Sequence, residues 1–394
     1  MLELNDYQNE LASKIKLLKE ASGSHSPSIN TIREKFTDLE IKVDACFLSN
    51  PYATELFINH FNKFILKGNN LRELLEFYPS QNEIIAQNIS KAIVVNEQSV
   101  FVGNGAIEII QACMHNFSGE KTIINIPTFS SYYEFVLPKT EVLFYKLKKE
   151  DNYELDPEVY LKFIKENNPT SIVIINPNNP NGSYLPFEDL RKIVSELREL
   201  EMILIDESFI HFAYEDGEKS QISTSELALE FKNVIVVKSM SKDFGIAGVR
   251  AGYGIMNKHR VSQLLKNGYL WNSSGLAEYF FRLYKDEVFL KDYELIRVKY
   301  INDAIKFFNE LKTINNIKVY PTKANFALVE LLDGTSSADF VINMLLKYGI
   351  YMRSCADKIG LQGEFVRVAC RTIEENASII NAFREYYGTK TNIL

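Results

Sequence analysis

From about residue 98 the chain alternates short apolar runs with amphipathic stretches, and that alternation decides the class of fold open to it. Ser99-Val100-Phe101-Val102 reads as a strand stopped by Gly103-Asn104-Gly105, and residues 106–114 read as a helix. Residues 122–125 and 171–176 read as further strands. Residues 187–201 place Leu190, Ile193, Val194, Leu197 and Leu200 on one helical face. A strand over 202–206 ends on two carboxylates, and one over 234–237 ends before Lys238-Ser239-Met240-Ser241-Lys242. Apolar strands spaced by helices imply a mainly parallel sheet covered on both faces. Ligands of such sheets sit beyond the carboxyl ends of the strands.

After about residue 265 the pattern changes. Residues 278–311 read as one long helix, and 318–320, 327–330 and 365–369 as strands with helices between, which suggests a smaller α+β domain. Near the N-terminus, Leu4, Tyr7, Leu11, Ile15 and Leu18 mark one helical stripe, and residues 21–28 read as a loop rich in Ser, Gly and Pro. A chain of 394 residues suits two joined domains. The expected division is an N-terminal segment, 1–55, packing on the small domain; a large domain, 56–265; and a small C-terminal domain, 266–394.

The bulk properties exclude several classes. A formal net charge of −7 argues against nucleic acid and anionic membrane surfaces as partners. The sequence has no apolar run near the ~20 residues that span a bilayer. The four cysteines form no CxxC pair, and the N-terminus lacks the basic start and apolar core of a signal peptide, so a cytoplasmic location is expected.

The polar residues that matter fall at strand ends. Gly103-Asn104-Gly105 before a helix is either a tight turn or an anion site, where backbone N–H groups and the helix dipole hold a phosphate. Asn176-Pro177-Asn178-Asn179-Pro180-Asn181-Gly182 is turn chemistry after a strand. Taken alone, Asp206 could be a helix cap and Lys242 a surface lysine. Their order says more. Glycine-rich turn, the segment Pro127-Thr128-Phe129-Ser130-Ser131-Tyr132, the Asn/Pro loop, Asp206, Ser241-Lys242 and Arg250 follow one another. In that order they resemble the class I/II aminotransferase family of pyridoxal-phosphate (PLP) enzymes, over residues 78–371.

The resemblance implies fold type I: an α/β large domain with a mainly parallel seven-stranded sheet, plus a smaller α+β domain. It also implies roles. Lys242 would supply the amine that forms a Schiff base with the cofactor. The backbone at Gly105, Ala106 and Ile107, the hydroxyls of Ser239 and Ser241, and Arg250 match the family's phosphate cup. Asp206 matches the carboxylate that keeps the pyridine nitrogen protonated. Tyr132 matches the aromatic stacked on the ring, and Asn179 the asparagine bonded to its 3′ oxygen. Tyr78-Pro79 matches a tyrosine that reaches the cofactor phosphate of the neighbouring subunit, which implies a homodimer with a shared active site. There are departures. The usual NPTG reads Asn179-Pro180-Asn181-Gly182, the common D-x-x-Y reads Asp206-Glu207-Ser208-Phe209, and residues 44–51 match the substrate-covering strand only loosely.

The stretch from Gly349-Ile350-Tyr351-Met352-Arg353-Ser354-Cys355 to Val366-Arg367-Val368-Ala369-Cys370-Arg371-Thr372 looks like the threonine-phosphate decarboxylases, relatives of histidinol-phosphate aminotransferase. Two guanidinium groups suit a carboxylate or a phosphate dianion, so Arg353 and Arg367 are candidate substrate ligands. His25 lies where related decarboxylases carry a substrate-facing histidine. The leading expectation is a decarboxylase of phosphoserine or phosphothreonine, giving an aminoalkyl phosphate and carbon dioxide. The alternative is an aminotransferase acting on a small phosphorylated amino acid or keto substrate. A third reading is a non-catalytic PLP-fold sensor, although no basic recognition helix precedes the first motif. No metal is expected.

Overall fold

The computed structural model describes residues 5–270 and 272–391, with side chains through residue 388. Leu4, first in the expected N-terminal stripe, lies outside them. The chain divides into two units. The larger comprises Ser49–Asn179 and Ser183–Tyr300, the smaller Met1–Leu48, Pro180–Gly182 and Ile301–Leu394. The boundaries expected at 55/56 and 265/266 thus fall at 48/49 and 300/301. The second lies inside the helix Glu287–Leu311, because Phe289 and Tyr293 of that helix are buried in the larger unit's core.

Seven strands build the larger unit's sheet: β1 (Val100–Asn104), β2 (Lys121–Ile126), β3 (Glu141–Lys146), β4 (Ser171–Ile175), β5 (Met202–Asp206), β6 (Val234–Ser239) and β7 (Ala251–Met256). Their order is β1-β7-β6-β5-β4-β2-β3. β7 runs antiparallel to β1 and β6, and the other pairings are parallel. The apolar pattern had marked five of these strands. β3 escapes because it is a half-exposed edge. β7 escapes because Ala251, Gly252 and Gly254 have weak strand propensity, which pairing on both sides overrides.

Alternation along each strand feeds two cores. Ile203 and Ile205 enter one apolar cluster while Met202 and Leu204 enter the other, and Val234 and Val236 are split from Ile235 and Val237 in the same way. Both faces are therefore covered. The helix Ala106–Phe117 packs Ile109, Ile110, Cys113 and Met114 on one face, and Phe187–Glu196 packs Leu190, Ile193 and Val194 on the other. The latter helix stops short of residue 201 because Leu197 leaves helical geometry, at φ −120° and ψ 34°, and the chain goes on in turns.

The smaller unit holds a four-stranded antiparallel sheet in the order Arg353–Ser354, Glu364–Ala369, Phe326–Leu331, Ile317–Val319. Its N-terminal helix, Asp6–Ala21, starts at Asn5 with a capping box completed by Gln8 and buries Leu11 and Leu18. Lys16 bonds Asp339 at 2.7 Å, and Val43–Asp44 pairs in parallel with Ile350–Tyr351. Among the described residues no helix is long and apolar enough to cross a membrane.

The helix expected over 278–311 is two helices, Gly275–Tyr284 and Glu287–Leu311. Apolar periodicity continues through the break, so the pattern hides it. Asp286 makes it: its Oδ1 accepts from Phe289 N at 2.9 Å, as an N-cap does. Asp286→Ala should lower stability by about 1 kcal/mol, while Asp286→Asn should hold nearly the parent value. Urea titration of the two variants measures the difference.

Candidate active site

Strand register gathers the sequence-predicted residues at one edge of the larger unit's sheet. β7 is antiparallel, so its first residues lie beside the last residues of its neighbours. Ala251 pairs with Asn104, and Gly252 with both Gly103 and Ser239. Asp206 pairs with Ile175 and Val237. The Gly105 turn, Ser239, Asp206, the Asn176 loop and Arg250 thus emerge along one line, and Lys242 follows three residues after Ser239.

Asp206 is 3 % exposed. Ser208 donates to its Oδ1 from the backbone N at 2.7 Å and from Oγ at 2.5 Å, and Tyr132 donates its hydroxyl to Oδ2. Burial raises the Asp206 carboxyl above its ordinary range, and the Ser208 and Tyr132 hydrogen bonds and the Lys238 charge oppose that rise. Tyr132, expected as a stacking aromatic, hydrogen-bonds the carboxylate that would meet the pyridine nitrogen. Ser208 was missed. A serine two residues past a strand-end aspartate was the available signal, since that spacing is a common local hydrogen-bond pattern.

The helix Ala106–Phe117 begins at Gly105, φ +74°, and among the described residues no side chain caps its first N–H groups. A Cβ at Gly105 would lie 2.4 Å from Arg250 Nη2, and one at Gly252 would lie 2.6 Å from Ala106 N. Two glycines therefore let the arginine and the helix end approach one small space. Arg250 donates to the carbonyls of Ala247 (3.1 Å) and Asn104 (3.3 Å), and among the described residues no carboxylate forms an ion pair with it. Ser239 and Ser241 are buried, with Ser241 N donating to Ser239 Oγ at 3.3 Å. Uncapped N–H groups, two hydroxyls, a guanidinium and a buried carboxylate fit a phosphorylated, cationic heterocycle such as PLP. Lys242 is partly exposed, and its carbonyl accepts from Asn50 N (2.8 Å) and Gly245 N (3.2 Å), which holds its backbone in place.

The Asn176 loop is pinned internally. Asn176 bonds Leu185 N and O at 2.8 Å each, and Asn178 donates to the Pro127 carbonyl at 3.0 Å. Asn179 is buried, and so is Phe209. Behind Lys242 lies a buried network that sequence reasoning missed: Lys238 Nζ donates to Asp243 Oδ2, which lies 3.1 Å from His211 Nδ1. Burial, then the charges of Lys238 and Arg297, hold His211 well below its ordinary range, so it is neutral there.

The substrate candidates lie in the smaller unit. Arg353 is 5 % exposed and donates through Nη2 to Ser24 O (2.9 Å) and Asp357 Oδ2 (2.6 Å). It therefore carries an acid partner, Asp357, that the sequence did not flag. Arg367 is its partner across the strand pair and donates to Cys46 O at 2.8 Å. His25 is exposed, and its carbonyl accepts from Lys19 Nζ at 2.9 Å. Tyr78 is 91 % exposed, just before Ser80, whose N and Oγ donate to Glu278 at 2.7 and 2.8 Å.

Gly252→Ala tests the backbone-built cup. The added Cβ must displace the helix N-terminus, so cofactor affinity should fall at least about tenfold, read by visible-absorbance titration with PLP, while thermal unfolding of the cofactor-free protein moves less. Unchanged PLP affinity would show that the cup lies elsewhere.

Comparison with known proteins gives a consistent result. A model of the family described as aminotransferase class I and II matches residues 52–383. The chain is 58 % identical over 389 residues to the L-serine phosphate decarboxylase of Campylobacter jejuni, covering 98 % of this chain and 100 % of that one. It is 44 % identical to the L-serine phosphate decarboxylase of Sulfurospirillum multivorans, covering 97 % of each. A solved decarboxylase structure from Sulfurospirillum multivorans superposes with a TM-score of 0.90 at 42 % identity, covering 96 % of this chain and 98 % of that one. The chain belongs to the class I and II aminotransferase family and is a PLP-dependent enzyme of fold type I.

Proposed function

We propose that this enzyme decarboxylates O-phospho-L-serine, releasing carbon dioxide and an aminoalkyl phosphate. The observation that carries the reading is the 58 % identity, over nearly the whole of both chains, to a relative named for that activity. When bound, PLP supplies an electron sink for a bond broken at the substrate's Cα. The chain's own residues divide the remaining work. Asp206 holds negative charge at the strand end, where it favours a protonated ring nitrogen. Gly105, Ala106, Ile107, Ser239, Ser241 and Arg250 hold the cofactor's phosphate. Asn179 and Tyr132 orient the ring, and Lys242 anchors the cofactor and is the amine to return a proton to Cα after carbon dioxide leaves. Arg353 and Arg367 are assigned to the substrate's anions, and so is His25, which follows Ser24, whose carbonyl accepts from Arg353.

Decarboxylation and transamination differ in which bond at Cα stands perpendicular to the conjugated ring. An arginine that holds the α-carboxylate in the ring plane protects it and exposes the C–H bond. Arginines that take the phosphate instead leave the carboxylate free to stand upright. The test is to supply phosphoserine to the PLP-loaded enzyme without any keto acid. Carbon dioxide should appear, and Arg367→Ala should lower kcat/KM by at least about a hundredfold, the scale expected when a buried ion loses its partner. PLP binding by that variant should be unchanged. Keto-acid-dependent amino transfer without carbon dioxide would select the aminotransferase reading.

We further propose a homodimer in which Tyr78 reaches the partner's cofactor phosphate. The support is exposure: Phe64, Leu66, Leu75, Phe77 and Tyr78 are between 44 % and 91 % exposed within one short segment, an apolar surface of the kind a partner covers. Light scattering at assay concentration should give twice the chain mass, and an active monomer would refute the shared site.

A further inference from the structure

A cavity of about 320 Å³ in the smaller unit is lined by Arg353, Asp357, Lys19, Ser26 and Tyr351 together with apolar side chains such as Leu345. At its charged end an arginine and an aspartate are joined by one bond only, from Arg353 Nη2 to Asp357 Oδ2 at 2.6 Å. Left to themselves, a guanidinium and a carboxylate commonly close as a fork with two parallel bonds. Here the second arm of each makes no such bond. Arg353 Nη1 and Asp357 Oδ1 are buried atoms without a hydrogen-bond partner among the described residues. A buried donor and a buried acceptor left unmet are unfavourable, so the pair suits a ligand that accepts from Nη1 and donates to Oδ1. An ionised carboxylate can only accept, so the ligand must bring a proton to it.

Resting on the phosphoserine reading above, we propose that Asp357 is a specificity-determining residue that reads the proton on the substrate's phosphate. Arg353 Nη1 donates to one phosphoryl oxygen, and the hydroxyl of a singly protonated phosphate donates to Asp357 Oδ1. The proton comes from solvent or is already on the ester. A sulfate ester has the same shape but no such proton. It would set an oxygen lone pair against Oδ1 and is rejected.

The surroundings support anion binding and set the pH range in which the proposal is tested. Lys19 from the N-terminal helix, Lys358 from the following turn and Arg367 from the adjacent strand all bear electrostatically on this pair, as do the thiols of Cys46 and Cys355. At the rim, Lys16 is paired with Asp339, and Glu20 is close by. Burial, opposed by Asp357 and aided by Arg353, pushes Lys358 down to about 8, so its charge is lost only above that pH. The phosphate's second ionisation, near pH 6, lies lower. Between about pH 6 and 7.5 the phosphate proton is the group that titrates.

The experiment compares phosphoserine with serine O-sulfate on the PLP-loaded enzyme, as the ratio of kcat/KM values, or of inhibition constants where the sulfate ester is not turned over. Both carry the same α-amine and carboxylate, so other titrations cancel in the ratio. In the parent enzyme the ratio should exceed about a hundredfold at pH 6 and fall toward tenfold per pH unit up to pH 7.5, the slope of one proton taken up. In Asp357→Asn the amide can donate to an ionised oxygen, so the ratio should drop below about tenfold and become flat with pH. A flat ratio in the parent enzyme, or the parent's slope retained in Asp357→Asn, overturns the proposal. Failure of the parent to release carbon dioxide from phosphoserine would instead overturn the functional reading beneath it.

Discussion

Burying the Asp206 carboxylate at the end of β5 is the constraint on which the larger unit's site depends. A carboxylate at 3 % exposure must be surrounded by donors, or it takes up a proton and loses its charge. Ser208 and Tyr132 meet that need, and Tyr132 can do so only because the short helix Ser131–Glu134 follows β2 at the same sheet edge. The next residue, Glu207, is also buried, but its donors are Ser223 Oγ and the N and Oγ1 of Thr224. Two consecutive carboxylates pointing apart is what alternation along a strand requires. One lies at the candidate cofactor site and the other fixes the loop that follows.

Lys238 and Asp243 act on the same edge from behind. Lys238 lies in β6, and Asp243 directly follows Lys242. Their buried ion pair, with His211 and Tyr293 alongside, clamps the backbone on both sides of Lys242. Removing one partner of such a pair costs far more than the pair contributes, because a charge is left in an apolar interior. The backbone around Lys242 is thus held by buried residues behind it.

The sequence was most legible where one physical signal acted alone. Unbroken apolar runs gave β2, β4, β5 and β6 nearly to the residue, since such runs have few other places to go. Local signals failed where long-range pairing decided the outcome, as in glycine-bearing β7, or where one cap interrupted a continuing periodicity, as at Asp286. The strand-end residues were recognisable from their order along the chain, and register then set them in a row. The partners of those residues were less visible. Ser208, Asp243 and Asp357 are ordinary polar residues in a sequence, and only burial and distance give them a task. Arg353 illustrates the limit, because its type and position suggested an anion site, yet the acid four residues on that shares it carries no sequence signature.

The candidate phosphate cup is mostly main chain. Backbone N–H groups at a helix start are supplied by any residue other than proline, so this part of the candidate site does not depend on side-chain identity. Gly105 and Gly252 are the exceptions, because their neighbours leave no room for a side chain. A lineage carrying this fold could therefore keep a backbone-built anion site through long divergence while side chains of the smaller unit, such as Arg353, Asp357 and Arg367, changed. Relatives that share the cofactor and differ in chemistry are a natural product of that division between backbone and side chain.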